Sequence, residues 1–246
     1  MINNSRTLRV IFLLLLFSSQ TVNAQSKSSG GVTGYVYLSG ALSKRFDYEL
    51  YNTSSFVVVD QKSPGTTDNT GFYKIYNDAG ITYKFSSRFS FGASYAYERV
   101  HVTAKDHTDE NRVLLQAIYR QLIRWVSIRY RVKFEDRYIH HALTHVTNQS
   151  TRLKLLTGVN VPVRSRKNNL YFSAYEEAYL ITSHNSPYTF SEDRLYMAAG
   201  FKLNDKTRFE TGILYNPKRL NKTDWYHQYY LQFTLISKLD LFHAKS

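Results

Sequence analysis

Strict alternation of apolar and polar residues is the feature that most constrains this chain. It is clearest from Trp125 to Arg137, where Val126, Ile128 and Tyr130 fall on one face and Ser127 and Arg129 fall between them. Successive side chains of a β-strand point to opposite faces, so this pattern predicts a strand with one apolar face and one charged face. The helical period of 3.6 residues is hard to find after Tyr35.

The alternation recurs in eleven segments, which predicts an all-β chain. Their connections alternate in length, which is typical of a barrel with tight turns at one end and longer loops at the other. The segments are 35–42, 46–58, 72–85, 89–100, 111–122, 125–137, 151–161, 170–181, 193–203, 207–215 and 225–236. The short turns are expected at 43–45, 86–88, 123–124, 162–169 and 204–206, and the long loops at 59–71, 101–110, 138–150, 182–192 and 216–224.

The composition of the two faces favours a closed antiparallel transmembrane β-barrel of 10–12 strands. The polar faces hold charges of both signs and glycines, which suits a wet lumen, and the apolar faces are rich in aromatic and aliphatic residues, which suits lipid. A soluble secreted barrel with the faces reversed is the alternative. Bacterial barrels have even strand numbers, so we expect either a further strand near 30–34, giving twelve, or a 35–42 segment outside the wall, giving ten.

The N-terminal residues predict a cleaved signal peptide over residues 1–24. Arg6 and Arg9 precede the eight apolar residues 10–17, and Val22-Asn23-Ala24 has the small-x-small pattern of a cleavage site. Residues 25–34 are then a flexible segment and 35–246 the barrel. The predicted location is the outer membrane of a Gram-negative bacterium, with insertion by the barrel-assembly machinery. The chain has no cysteine, which excludes disulfides and thiolate metal sites.

Charged residues at inward positions predict a charge network in the lumen. Packing of the lumen is the favoured interpretation, and a path for a ligand or ion is the alternative. If Glu177 faces the lumen, its neighbour Glu176 must face outward, which predicts a bulge or an early strand end at this place. Glu135 is expected to pair with cations on its own and neighbouring strands, including Arg112 and Arg120 on the preceding strand. The counter-charges expected on other inward faces are Asp47, Glu49, Glu98 and Glu210. The predicted network comprises Arg129, Arg131, Lys133, Glu135, Arg137, Arg152, Lys154, Arg194, Arg208 and Glu210.

The string Arg131-Val132-Lys133-Phe134-Glu135-Asp136-Arg137 resembles the Arg-x-Arg-x-Glu-x-Arg signature of a Bacteroidota outer-membrane family of unknown function. Lys133 replaces the second arginine, which keeps the charge and loses bidentate pairing. Asp193-Arg194-Leu195-Tyr196 and Ala174-Tyr175-Glu176-Glu177 resemble later strands of that family. The resemblance implies an outer-membrane barrel and no established reaction.

The predicted function is therefore that of a porin-like barrel of unassigned role, with a narrow passive path for small polar or anionic solutes. One alternative is a barrel enzyme acting on lipid as an esterase or acyltransferase, and another is an envelope interaction or assembly barrel with long binding loops. An enzyme is therefore not the favoured interpretation, and the sequence predicts neither a cofactor nor a metal. The candidates for a lipid enzyme are His140, His141, His145, His184 and His227 with Thr144, Ser150, Ser183 and Ser186.

The net charge of +13 raises the question of a nucleic-acid partner. For a secreted barrel, acidic lipid head groups and lipopolysaccharide are the expected partners instead. The basic residues expected at the turns are Lys44, Arg45, Arg88, Arg124, Arg164, Arg166, Lys167 and Lys206.

Overall fold

The computed structural model describes residues 27–61, 70–101, 106–163, 169–183 and 189–242. The predicted signal peptide and the basic residues Arg164, Arg166 and Lys167 lie outside these ranges. No helix among the described residues is long and apolar enough to cross a membrane. The strands are β1 Lys27–Ala41, β2 Phe46–Gln61, β3 Gly71–Lys84, β4 Phe89–His101, β5 His107–Ile123, β6 Val126–His141, β7 Val146–Pro162, β8 Leu170–Ile181, β9 Phe190–Lys202, β10 Thr207–Arg219 and β11 Trp225–Lys238.

The eleven strands form a closed barrel, which confirms the predicted fold class. Neighbours in sequence pair antiparallel, and the barrel is closed by a parallel pair of β1 and β11, with Lys27 opposite Tyr226 and Ser39 opposite Lys238. A single parallel pair allows an odd number of strands to close. The expectation of ten or twelve strands is therefore wrong, and so is antiparallel pairing all the way round. Residues 30–34 lie in β1, which starts at Lys27 rather than at Tyr35.

The strands run further than the alternation predicts, so most connections are shorter than expected. The connection predicted at 138–150 is a turn of residues 142–145, with His140 and His141 in β6 and His145 at a φ of 53°. Alternation fades where a strand extends beyond the buried part of a sheet, because both faces then contact water. We call the end with the β5–β6 turn the turn end, and the end with the β6–β7 turn the loop end.

The outer face of the barrel is apolar and the inner face is polar, in the phase that the sequence predicts. On β6, Val132 and Phe134 are 46% and 42% exposed, whereas Lys133 and Glu135 are 7% and 0% exposed. The enclosed residues are thus the ionic ones. This is the reverse of a soluble barrel, in which the interior is apolar.

Strand β8 keeps a regular register through the two glutamates. Glu176 is opposite Leu195 and Glu177 is opposite Arg194, so Glu176 faces outward and Glu177 inward. The bulge lies three residues further on, between Tyr179 and Leu180, because one more residue of β9 is present there.

Close backbone packing completes the barrel at the turn end. Leu239 N donates to Ser39 O at 2.7 Å, and Tyr48 Oη donates to Leu239 O at 2.7 Å. Gly40 allows this approach, because a Cβ at that position would lie 1.8 Å from Leu239 O. The Ala41 amide donates to Asp240 Oδ1 at 3.0 Å and, with Lys238 nearby, holds the pKa of Asp240 below its usual value.

Candidate functional site: the lumenal charges

Glu135 lies at the centre of the lumenal charges and is fully buried. The register of β6 and β7 places Arg152 directly opposite it. Arg152 donates to Glu135 Oε2 from Nε at 2.9 Å and from Nη2 at 2.7 Å, and Lys154 Nζ lies 2.5 Å from Oε1. Both oxygens of the buried carboxylate are therefore compensated by a cation, which offsets the cost of removing these charges from water.

Arg112 and Arg137 are directly opposite each other on β5 and β6 and share one acid. Arg112 Nε donates to Glu110 Oε1 at 2.6 Å, and Arg137 Nη2 donates to Glu110 Oε2 at 2.9 Å. Arg112 Nη2 also donates to Glu98 Oε1 at 2.7 Å. The two carboxylates compensate the repulsion that opposed like charges cause in a sheet.

Lys133 connects walls that are not adjacent. Its Nζ lies 3.2 Å from Asp78 Oδ2, so an ion pair joins β6 to β3 across the lumen. Lys133 is also opposite Lys154, which pairs with Glu135. Each lysine of this second like-charge pair therefore has its own carboxylate.

Tyr179 organises the β7–β9 side of the lumen. Its hydroxyl donates to Glu177 Oε2 at 2.6 Å, and Glu177 Oε1 accepts from Arg131 Nη2 at 2.7 Å. Three cations lie over the ring, with Arg152, Lys154 and Arg194 at 4.7, 4.6 and 4.9 Å from its centroid. Cations are attracted to the face of an aromatic ring, so this buried tyrosine adds to the ion pairs that these cations form with Glu135 and Glu192.

Arg194 continues the charge network onto β9, where its Nη2 lies 2.8 Å from Glu192 Oε1. Arg208 and Glu210 form a separate group. Glu210 accepts hydrogen bonds from Tyr171 and Tyr196 at 2.8 and 3.3 Å, and Arg208 lies 5.8 Å from the Tyr171 ring centroid.

Arg129 differs from the other predicted residues of the charge network. It is exposed to solvent in the lumen, three residues from the β5–β6 turn, and stands directly opposite Arg120. The residues with the largest electrostatic effect on it are Arg131, Tyr35, Tyr37 and Arg120, none of which is a carboxylate. Glu49 lines the same lumenal cavity as Arg129 and accepts a hydrogen bond from Thr82. Arg120 donates to Ser90 Oγ at 3.1 Å. Within the described ranges, this third opposed pair forms no ion pair with a carboxylate.

The lumen contains a cavity of about 90 Å³ among the charged side chains. Arg129, Arg131, Tyr35 and Tyr175 are among the residues that line it. Since one water needs roughly 10–15 Å³ of space for its centre, the cavity has room for several waters. Most of the residues that line it are charged side chains and tyrosines.

Three acids of the charge network were not predicted from the sequence, namely Asp78, Glu110 and Glu192. All three are buried at inward positions of their strands. Asp78 lies within a predicted strand, whereas Glu110 and Glu192 are the last residues of predicted loops and lie in β5 and β9 because these strands start earlier than expected. Of the expected counter-charges, Asp47 pairs with Lys84 at 2.8 Å, and Glu49 accepts from Thr82 at 2.9 Å.

The candidate enzyme residues are dispersed. His140 Nδ1 lies 3.1 Å from Thr147 Oγ1, His227 Nδ1 lies 2.7 Å from the Tyr215 hydroxyl, and Ser150 and Ser183 are 3.5 Å apart. His184 and Ser186 lie outside the described residues. In the part of the chain that the structure describes, no group of three or more His, Asp or Glu side chains is placed to hold a metal ion.

The comparison with protein families decides the classification. A family model described as "Protein of unknown function (DUF2490)" matches residues 36–234, which is most of the chain. The chain belongs to the DUF2490 family. The matched range extends from β1 to β11 and includes all the lumenal charges above. No curated protein and no solved structure matches the chain.

Membership of the DUF2490 family agrees with the resemblance to a family of unknown function. It supplies no reaction, substrate or partner.

Proposed function

We propose that this DUF2490 protein is an outer-membrane β-barrel whose lumen is closed at its centre by ion pairs. The observation that carries the proposal is the polarity of the wall. Met197 and Ile213 on the outer face are 71% and 62% exposed, while Glu135 is fully buried within. A band of exposed apolar side chains is unfavourable in water and is matched by the hydrocarbon of a bilayer.

The narrow lumen supports a finer function. The cross-lumen pair of Lys133 and Asp78 and the cavity of about 90 Å³ exclude large solutes from the resting barrel. We propose a narrow passive path for small polar or anionic solutes, in which passage requires these ion pairs to rearrange.

The predicted signal peptide and the basic turns support the location. Lys44, Arg45, Arg88, Arg124 and Lys206 are all exposed and lie in turns at the turn end. With the turn end in the periplasm, they face the acidic head groups of the inner leaflet, and the loop end faces lipopolysaccharide. Insertion by the barrel-assembly machinery and an origin in Bacteroidota remain part of this proposal.

Membrane fractionation followed by gel electrophoresis tests the location. A closed barrel resists SDS until it is boiled, so we expect a band in the outer-membrane fraction whose mobility changes on heating. A freely soluble protein that is folded without detergent would contradict the proposal.

Conductance in planar bilayers tests the solute path. We expect small unitary currents with a preference for anions, because Arg129 and Arg120 lie in the lumen with no described carboxylate partner. Currents of the size given by a general porin would contradict the closed lumen.

A further inference from the structure

We infer that the lumen contains a binding site for a small oxyanion, a phosphate or carboxylate group, between Arg120 and Arg129. This deepens the proposed function by naming a solute class, and it rests on that function for the lumen being wet. The starting observation is that strands β5 to β7 contain three opposed pairs of cations, of which only this one forms no ion pair with a carboxylate of the described residues.

The other two opposed pairs have carboxylate partners that the pair of Arg120 and Arg129 lacks. Glu110 bridges Arg112 and Arg137, while Lys133 and Lys154 pair with Asp78 and Glu135. Opposed like charges destabilise a sheet, so the fold supplies a counter-charge at two of the three places. At the third place, an anion from solution would supply it.

The surroundings of the pair leave room for that anion. On its other side, Arg129 is opposite Gly158, which has no side chain. Arg120 and Arg129 are both solvent-exposed, so an anion from water reaches both guanidinium groups. An arginine guanidinium presents several donors in a plane, which matches the oxygens of a phosphate or carboxylate.

A further unused donor lies nearby. Nε of Arg131 is buried and has no hydrogen-bond acceptor among the described residues, although Nη2 of the same side chain pairs with Glu177. Arg131 and Arg129 line the same cavity of about 90 Å³. Arg129 also stands opposite Arg120, which does not itself line this cavity. The lining consists mostly of charged and polar side chains, which suits an oxyanion group and not an acyl chain, so the ligand is a small water-soluble solute rather than a lipid.

Calorimetric titration tests the site. The full chain is folded in detergent at low salt and titrated with inorganic phosphate in one arm and with succinate in the other. We expect saturable binding in at least one arm, and the arm with the higher affinity identifies the oxyanion. Arg129→Gln and Arg120→Gln are each expected to weaken binding at least tenfold. The matched control is Arg208→Gln, which removes a lumenal arginine over Tyr171 and should change the affinity less than twofold.

Absence of saturable binding in both arms would overturn the inference, and so would equal losses for Arg208→Gln and Arg129→Gln. The heat-dependent gel shift of each sample establishes separately that the barrel is folded. Failure of binding in a folded membrane barrel therefore counts against the site alone, whereas a soluble protein counts against the proposed function.

Chemical protection tests the same site without any substitution. Phenylglyoxal modifies accessible arginines, and peptide mass spectrometry reports the rate at each one. Bound anion should slow modification of Arg120 and Arg129 at least fivefold and leave Arg45 and Arg88 in the exposed turns unchanged. Equal slowing at all four arginines, or none at any, would contradict the site.

Discussion

Arg152 donates two hydrogen bonds to the same oxygen of Glu135, from Nε at 2.9 Å and from Nη2 at 2.7 Å. The two residues are directly opposite on β6 and β7, and both are buried. Their pairing depends on the strand register, and a slip of one residue would turn one of them toward the outside. The ion pair therefore favours the observed register as well as filling the lumen.

Glu135→Gln should lower the free energy of unfolding by about 3–5 kcal/mol, because Arg152 and Lys154 lose their shared carboxylate in a buried place. Urea titration of the barrel in lipid vesicles measures this. The matched control is Glu176→Gln, which makes the same change at an exposed position of the outer face and should be neutral or stabilising. Equal losses at the two positions would contradict the assignment of the faces.

Met197→Arg should destabilise the barrel in lipid by roughly 2–4 kcal/mol, the cost of a cation on the lipid face near the middle of the bilayer. Leu143→Arg is its control, because Leu143 is also 71% exposed but lies in the β6–β7 turn. In a soluble protein both substitutions would be harmless. Vesicle unfolding curves for the two variants separate these cases.

Asp78→Ser combined with Lys133→Ser should raise the unitary conductance in planar bilayers. These side chains meet across the lumen, and serine is shorter and uncharged. The double change Asp47→Ser with Lys84→Ser removes a partly exposed pair at the turn end and should leave the conductance within about twofold of the parent. Unchanged currents in the first variant would show that the narrowest point lies elsewhere.

Gly40→Val should prevent stable closure between β1 and the residues that follow β11. The Cβ of the valine would overlap Leu239 O. Overpacking of this kind lowers the free energy of unfolding by at least about 1–3 kcal/mol. Gly34→Val on the same strand meets no atom within 4 Å and serves as control. The heat-dependent gel shift should be lost in the first variant and kept in the second.

Much of the fold could be predicted from period-two alternation. The phase of β6 placed Val132 outside and Glu135 inside, as the structure shows. The ends of the strands could not be predicted in this way, because residues such as His140 and His141 continue the backbone pairing after the apolar pattern has ended. Residues 30–34 were expected only as a possible separate strand and not as part of β1, since three of the five are glycines and the segment shows no clear alternation.

The lumenal partners were harder to predict than the strands. The pairing of Glu135 with Arg152 follows from adjacent strands once the register is known. The pairing of Lys133 with Asp78 joins strands that are far apart in sequence, so it depends on how the barrel closes. The cations over Tyr179 were not predicted either, because a lone tyrosine at an inward position gives no signal for its neighbours.

The parallel pair of β1 and β11 has a consequence for sidedness. Because both strands run in the same direction, Lys27 and Lys238 lie at opposite ends of the barrel. If the barrel spans the outer membrane as proposed, its wall crosses the bilayer an odd number of times and these two residues lie in different compartments. In an even-numbered barrel, labels at these two places would be reached from the same compartment. In intact cells, an epitope beside one of them should be accessible to antibody and an epitope beside the other should be hidden.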